Sequence, residues 1–296
     1  MIINYSIFDP TGNITALVET KVEAETQPAI ADEIMKAHPR VEQVGFVQFE
    51  AGRPVPALLR MAGGEFCGNA TMSSAALYAI RSGDEAPSIR VRTSGAPRSL
   101  EVRLNLSEGG AGLYTTGLEM PEPVSIEKMK VDLGSTIEEL PIVKLGGITH
   151  IIIEHGRTTY TLKDSPEAAE AVIREWGQTL RADCLGMMFL SGSGSMTKAE
   201  GKLGGECGIE ADIGMQTELI PLVYVPAADT VFWENSCASG SAAVGMYLSD
   251  KYGMALEIDM EEPGGSFKVI SDPNNKTTWL FGSTELLSEE QLEFSN

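Results

Sequence analysis

The sequence is short of the residues that most often build metal centres and disulfide frameworks. Its 296 residues include three histidines and four cysteines, namely Cys67, Cys184, Cys207 and Cys237. No two of these cysteines form a Cys-x-x-Cys pair, so the spacing argues against a zinc site, and four are too few to cross-link a chain of this length. An isolated cysteine behaves as a small buried hydrophobe, and only its context can indicate more.

Basic charge is also scarce. Lysine and arginine number 22 against 42 acidic residues, which gives a net charge of -20 at pH 7. A field of this sign repels phosphate backbones, so nucleic acid is not an expected partner. No apolar run approaches the roughly 18 residues of a membrane span, and residues 1–6 do not resemble a secretory signal. The sequence therefore predicts no membrane partner and a cytoplasmic location.

The common nucleotide and metal motifs are missing as well. The sequence contains no G-x-G-x-x-G after a predicted strand, no G-x-x-x-x-G-K-[ST] and no H-E-x-x-H. We therefore expect no organic cofactor and no metal.

Two segments share a similar residue pattern, GEFCGNATM at 64–72 and WENSCASGS at 233–241. In each, a cysteine precedes small residues and then an apolar stretch, at 71–80 and 241–248. A helix without a polar stripe is packed on all sides. The flanking segments alternate and carry β-branched residues, which predicts strands. The pattern predicts an α+β fold of two pseudo-symmetric domains, each a curled, mostly antiparallel sheet around a central buried helix.

The domain boundaries follow from turn-rich segments. We expect a first domain over 1–123, which carries Cys67, a second over 124–274, which carries Cys237, and a segment over 275–296 that returns to the first domain. Apolar spacing predicts helices at 27–38 and 165–181. The acidic stretch 285–294 is interpreted as a short closing helix.

A cysteine directly before a buried helix lies near free N–H groups and the positive end of the helix dipole, which lower a thiol pKa and bind anions. Gly68 and Asn69, like Ala238 and Ser239, would offer backbone N–H groups to a carboxylate. One cysteine could then remove the α-proton while the other returns a proton to the opposite face. The residues alone leave open two structural cysteines or a ligand-binding role without catalysis.

The motifs Cys67-Gly68-Asn69 and Cys237-Ala238-Ser239-Gly240 resemble those of the diaminopimelate epimerase fold family, whose members are cofactor-independent racemases and epimerases with two catalytic cysteines. Ala238 stands where glycine is usual. The resemblance implies that Cys67 and Cys237 are the catalytic acid and base, that the substrate is a small molecule, namely an amino acid, and that the protein forms a homodimer. Cys184 and Cys207 lack such motifs and are interpreted as structural.

Further site residues are implied by the same resemblance. Asn13 of the Gly12-Asn13 turn would contact substrate, and His150 would belong to the site, although its usual Gly-Asn-Pro-His context is here GITH at 147–150. Diaminopimelate epimerases also carry a Glu-Arg pair where this sequence has Ala228 and Asp229. The distal head group of diaminopimelate therefore has no evident partner, which disfavours that substrate.

A closer resemblance is to the histidine racemases of staphylopine-type metallophore biosynthesis. The shared segments are PTGN at 10–13, EFCGNATM at 65–72, GMM at 186–188, WENSC at 233–237 and PGGS at 263–266. This implies conversion of L-histidine to D-histidine for an opine metallophore. Glu234 and Asn235 are expected to contact substrate, with Glu234 orienting its ammonium group or tuning a thiol. The alternatives are diaminopimelate epimerase or another amino-acid epimerase of this fold, a phenazine-type isomerase, and a non-catalytic amino-acid-binding protein. The phenazine-type isomerases lack the cysteine pair.

Overall fold

The computed structural model describes residues 1–50, 52–83, 86–107, 112–134, 136–192, 196–199, 207–211, 213–227 and 229–295. The chain divides into two compact units, Met1–Glu119 with Phe281–Asn296, and Met120–Leu280. The sequence places these divisions after residues 123 and 274. The architecture is α+β and rich in strands. None of the helices in the described ranges is both long and apolar enough to cross a membrane.

The sheet of the first unit closes on itself. Its strands are β1 (Ile2–Asp9), β2 (Thr15–Val18), β3 (Gln43–Phe49), β4 (Ala57–Met61), β5 (Ser88–Thr93), β6 (Leu100–Leu106), β7 (Leu113–Glu119) and the later part of β17 (Thr277–Glu293). Each strand pairs with the next, and β17 pairs with both β7 and β1. The pairs β2–β3 and β4–β5 are parallel, and the others whose register is defined are antiparallel. The result is a barrel-like sheet.

Two helices pack against different faces of this sheet. Helix α2 (Gly68–Ser82) is buried at every position from Gly68 to Ala79 and contacts all of β1 to β7, which confirms the helix predicted from the missing polar stripe. It ends at Gly83, whose φ of 64° is the left-handed conformation that glycine adopts without strain. Helix α1 (Gln27–Ala37) buries one face, through Ile30 and Ile34, in a cluster on β1, β2 and β3.

The second unit contains the middle of the chain. Its strands are β8 (Ser125–Asp132), β9 (Ile137–Leu145), β10 (Ile148–Glu154), β11 (Leu185–Ser191), β12 (Thr197–Lys198), β13 (Ile213–Val225), β14 (Thr230–Trp233), β15 (Leu256–Glu262), β16 (Gly265–Asp272) and the start of β17. The pairs β10–β11 and β13–β15 are parallel, whereas β8–β9, β9–β10, β11–β13, β12–β13, β13–β14 and β15–β16 are antiparallel.

Helix α4 (Ala238–Tyr252) is buried from Ala238 to Ser249 and packs against β9, β10, β11, β15 and β16. Helix α3 (Pro166–Leu180) is amphipathic, as the sequence predicts. Its apolar side chains Ala169, Ile173 and Trp176 pack with those of β11 and β13. Helix α4, which is apolar on all sides, thus lies in the interior, whereas the amphipathic helix α3 covers the outside of the sheet.

The prediction of a short acidic helix over 285–294 is wrong. Residues 285–293 belong to β17, which pairs antiparallel with β1 from Ile2–Glu293 to Asp9–Glu285. Exposed and half-buried side chains alternate over this part of the strand, from 285 to 293. The extended form is imposed by a partner at the opposite end of the chain, which local charge and spacing do not reveal.

Candidate active site

The first cysteine occupies the N-cap of α2. Cys67 has extended dihedral angles (φ -130°, ψ 114°), is 5% exposed, and its Sγ accepts a hydrogen bond from the Ala70 N–H at 3.4 Å. Gly68 follows as the first helical residue and is buried. The thiol therefore lies at the amide-rich end of a buried helix, as the sequence predicts.

The turn before β2 is fixed to the first turn of α2. Asn69 is buried and donates from Nδ2 to the carbonyl oxygen of Pro10 at 3.1 Å. Asn13 is fully buried, and its Nδ2 donates to a carboxylate oxygen of Glu42 at 3.1 Å. Within the turn, between Pro10 and Asn13, Thr11 and Gly12 have φ values of 60° and 92°. These contacts account for the geometry of the turn, and substrate contacts by Asn13 and Asn69 remain predictions.

Glu65 lies two residues before the first cysteine. Burial raises the pKa of its carboxyl group. Its Oε2 is buried and has no hydrogen-bond partner among the described residues. The Ser94 hydroxyl donates to the Glu65 carbonyl oxygen at 2.7 Å, and a Cβ at Gly95 would lie 2.4 Å from the Phe66 nitrogen. The approach to Cys67 is thus packed tightly, with a carboxyl group close to it in sequence.

The second cysteine occupies the N-cap of α4. Cys237 is also extended (φ -134°, ψ 95°) and is 6% exposed. Its backbone N–H donates to Oε2 of Glu262 at 2.7 Å, and the Ser241 hydroxyl bonds to the other oxygen of the same carboxyl group. Glu262 is the last residue of β15. The end of this strand therefore lies at the start of α4.

The electrostatic setting of Cys237 differs from the expected one. Burial, followed by the negative charges of Glu234 and Glu262, raises the pKa of the thiol well above its ordinary value. A hydrogen bond with the Glu234 side chain adds to this effect. Burial also raises the pKa of Glu262, to about 8. The prediction that the helix end lowers the pKa of this thiol is therefore wrong, because two acids and desolvation outweigh the helix dipole.

A hydroxyl links Cys237 to a buried histidine. The Ser239 Oγ lies 3.6 Å from the Cys237 Sγ and 3.0 Å from the Nε2 of His150. His150 is fully buried, and desolvation lowers its pKa to about 3, so the ring is neutral at physiological pH. Gly186 is paired with His150 in register, and a Cβ there would lie 2.4 Å from the His150 Nδ1. Only glycine at 186 leaves room for the ring.

The remaining predicted residues are placed as follows. Glu234 is 5% exposed, whereas Asn235 is exposed and its carbonyl oxygen accepts from the Gly264 N–H at 2.8 Å. Ala238 is 1% exposed and opens α4. Asp229 bonds to Arg174 at the surface, and Ala228 lies outside the described residues.

The structure thus groups His150, Glu234, Cys237 and Ser239 in the second unit, and joins Asn69 to the turn that carries Asn13 in the first. Sequence reasoning missed Glu262. A signal existed, because Ile258, Met260 and Glu262 alternate along β15 and all are buried. Within the described ranges, no three His, Cys, Asp or Glu side chains are grouped to hold a metal ion.

Comparison with known proteins gives one family and several relatives. The family model described as the histidine racemase CntK N-terminal domain matches residues 2–198 and 213–280. The chain is 27% identical to a histidine racemase of Fusobacterium nucleatum subsp. nucleatum over 296 residues, which cover 97% of this chain and 96% of that protein. It is 26% identical to a histidine racemase of Staphylococcus aureus, covering 91% and 89%.

Solved structures share the fold at low identity. A phenazine biosynthesis protein of the PhzF family from Enterococcus faecalis has a TM-score of 0.60 at 16% identity, covering 99% of this chain and 100% of that one. A hydroxyproline epimerase from Agrobacterium vitis, with bound trans-4-hydroxy-L-proline, has a TM-score of 0.62 at 12% identity, covering 98% and 92%. These similarities concern the fold alone.

Proposed function

The chain belongs to the histidine racemase CntK family, and we propose that it interconverts L- and D-histidine, with Cys67 and Cys237 as the acid and base. As a member of this family it is an amino-acid racemase, and hence an isomerase. Histidine as the substrate rests on the names of the relatives, and the cysteine mechanism rests on the positions of the two thiols.

The observation that carries the mechanism is that each of these cysteines is the N-cap of a helix buried on all sides. The free N–H groups of such a helix end bind anions, and they stabilise negative charge that develops in a transition state. Backbone groups of Gly68, Asn69, Ala238 and Ser239 would hold the substrate carboxylate. Charge that forms on the α-carbon when its proton leaves would spread into that carboxylate.

The two thiols have complementary roles in each direction. In the resting protein Cys237 carries its proton, because burial and two acids raise its pKa. When Cys67 is the base, its sulfur takes the α-proton, and the electron pair of the broken C–H bond remains on carbon. Cys237 then gives its proton to the opposite face, and its S–H electron pair remains on sulfur. The reverse reaction exchanges the roles. Glu234, bonded to the Cys237 thiol, assists this proton transfer.

The finer description of the fold belongs to the same proposal. The two units are copies of one diaminopimelate epimerase-like domain, each a mostly antiparallel sheet curled around α2 or α4. Support comes from their shared order of strands, cysteine, buried helix and further strands. A cytoplasmic homodimer that supplies D-histidine to an opine metallophore completes the proposal, and rests on the sequence resemblance.

The test is α-hydrogen exchange in heavy water without added pyridoxal phosphate. Each of the nineteen chiral standard L-amino acids is incubated with the protein, and loss of the α-proton signal is followed by NMR, with optical rotation in parallel. We expect the fastest exchange with histidine. Fast exchange with another amino acid and none with histidine would contradict the substrate. Tight histidine binding with no change of optical rotation over hours would favour the non-catalytic binding protein.

A further inference from the structure

The two thiols of the proposed mechanism have different hydrogen-bond donors beside them. The Cys67 Sγ accepts from the Ala70 N–H in the first turn of α2. The Cys237 Sγ accepts no such bond from the described first turn of α4. Instead, the hydroxyl oxygen of Ser239 lies 3.6 Å from the Cys237 Sγ. A side-chain hydroxyl therefore occupies at the second cysteine the place that a backbone N–H occupies at the first.

The Ser239 hydroxyl has one proton and two neighbours. Its Oγ lies 3.0 Å from the Nε2 of His150 as well as 3.6 Å from the Cys237 Sγ. A hydroxyl donates one hydrogen bond, and its lone pairs accept others. If Ser239 donates to His150, it has no proton left for the sulfur. If it accepts from His150, its own proton can point at the sulfur. The direction depends on which ring nitrogen of His150 carries the proton.

The surroundings of His150 favour a proton on Nε2. The ring is fully buried and neutral, so it carries a single N–H. Its Nδ1 has no hydrogen-bond partner in the described part of the chain. A Cβ at Gly186 would collide with Nδ1 and lie 2.7 Å from the methyl carbon of Met188, so that side of Nδ1 has no room for water. A buried N–H without an acceptor is rarer than a buried acceptor without a donor, and a proton on Nδ1 is therefore disfavoured.

Met188 also closes one side of the second cysteine. The residue is fully buried. A Cβ at Gly240 would collide with the Met188 Sδ and would lie 3.3 Å from the Cys237 Sγ, so the thioether lies next to the thiol. A thioether has no proton to donate. Negative charge on the Cys237 sulfur therefore depends on the few donors that remain around it, and the Ser239 hydroxyl is one of them.

We propose that His150 is a positioning residue, which as the Nε2–H tautomer donates to Ser239 and so turns the Ser239 O–H towards the Cys237 sulfur. This inference rests on the proposed function for its meaning in turnover. When the Cys237 S–H bond breaks, the proton goes to the α-carbon and the electron pair stays on sulfur. The Ser239 hydroxyl then donates to a thiolate and keeps its own proton. In the opposite direction the same bond stabilises that thiolate before it takes the α-proton.

The tautomer is measured on the wild-type protein without turnover. The imidazole nitrogens of the three histidines are labelled with 15N, and long-range 1H–15N correlation spectra are recorded at neutral pH. The ring of His150 is assigned by elimination, with His38→Gln and His155→Gln. We expect a protonated Nε2 and an unprotonated Nδ1 at His150. A protonated Nδ1 would overturn the proposal.

Ser239→Ala tests the hydroxyl, and it keeps the backbone N–H that would hold the substrate carboxylate. We expect kcat for histidine to fall by about 10- to 100-fold, the range for a hydrogen bond to a charged group. KM should change by less than about twofold, because the lost bond is made to the charged sulfur of the transition state. Ser239→Thr, which retains the hydroxyl, should recover most of kcat. A rise in KM with kcat unchanged would mean that the hydroxyl binds substrate, and would overturn the proposal.

The matched control is Ser249→Ala, which removes another buried hydroxyl of α4, one that bonds to Ser271. S249A should keep the wild-type kcat, and a fall equal to that in S239A would count against a specific role for Ser239.

His150→Phe tests whether the histidine acts through Ser239. The variant keeps an aromatic ring and removes its N–H. H150F should lower kcat in the wild-type background and add little to the loss in S239A, because both changes remove the same bond to sulfur. Equal losses in the two backgrounds, or a wild-type kcat in S239A, would overturn the proposal. If the wild type does not racemise histidine, the proposed function fails, while the tautomer still decides how the three side chains are bonded.

Discussion

At the scale of single residues, His150 shows how burial sets a charge state. The ring is fully enclosed, faces Gly186 without a side chain between them, and bonds to Ser239. Desolvation lowers its pKa from 6.5 to about 3. It therefore serves the site as a neutral hydrogen-bonding group rather than as a cation.

This burial predicts a pH dependence of stability. Below pH 6.5 the unfolded chain binds a proton at His150 that the folded protein does not bind until about pH 3. The free energy of unfolding should therefore decrease as the pH falls from 6.5 towards 3. Urea unfolding at several pH values measures it, and His150→Gln should show a shallower decrease. An identical slope in both proteins would contradict the assignment.

The residues that sequence reasoning found are those that carry a local pattern. Cys67 and Cys237 precede small residues and a buried helix, and both are N-caps. Glu262 escaped notice because it lies 25 residues from Cys237 along the chain. Its role as a helix-capping acid exists only once β15 ends beside α4. The raised pKa of Cys237 was unpredictable for the same reason, since one of its causes is this distant acid.

At the scale of elements, α4 packs so closely on β16 that it tolerates no side chain at one position. A Cβ at Gly245 would lie 2.4 Å from the Val269 Cγ1. We predict that Gly245→Ala lowers the free energy of unfolding by about 1–3 kcal/mol, because over-packing a dense core costs that much. Urea denaturation measures the change.

The companion variant is Gly245→Ala with Val269→Ala, which removes the methyl group in conflict. The free energy of unfolding lost in the double variant should therefore be smaller than the sum of the losses in G245A and V269A. Additive losses would show that the two residues do not compete for space.

A helix or strand could be predicted when the residues that determine it lie within its own segment, and not when they lie elsewhere in the chain. Helices α2 and α4 follow from apolar stretches that need no partner to be recognised. Strand β17 was mistaken for a helix because its pairing partner, β1, lies at the other end of the sequence. An acidic segment with few apolar residues gives no sign of such pairing, which only the folded chain supplies.

At the scale of the whole molecule, the excess of acidic residues lowers the stability of the folded state. A net charge of -20 produces self-repulsion in the folded state, which salt screens. Between about 0.01 M and 0.15 M ionic strength the screening length falls from about 30 Å to about 8 Å. The Tm should therefore rise with sodium chloride over this range. A falling Tm would mean that attractive surface pairs, such as Arg81 with Glu19 and Glu289, outweigh the repulsion.

The α+β class and the racemase family were accessible from the sequence, because the two cysteine motifs and the strand patterns are local. The closure of the first sheet was less accessible, since it depends on β17 joining both β1 and β7.

The most direct test of the two-cysteine account follows L-histidine in heavy water during the first few per cent of reaction. Two separate bases predict that D-histidine forms with deuterium at the α-carbon while the remaining L-histidine keeps its proton. Cys67→Ser and Cys237→Ser should abolish racemisation, and Cys184→Ser should leave it unchanged. Deuterium entering L-histidine as fast as D-histidine forms, or full racemisation by both the C67S and C237S variants, would contradict the account.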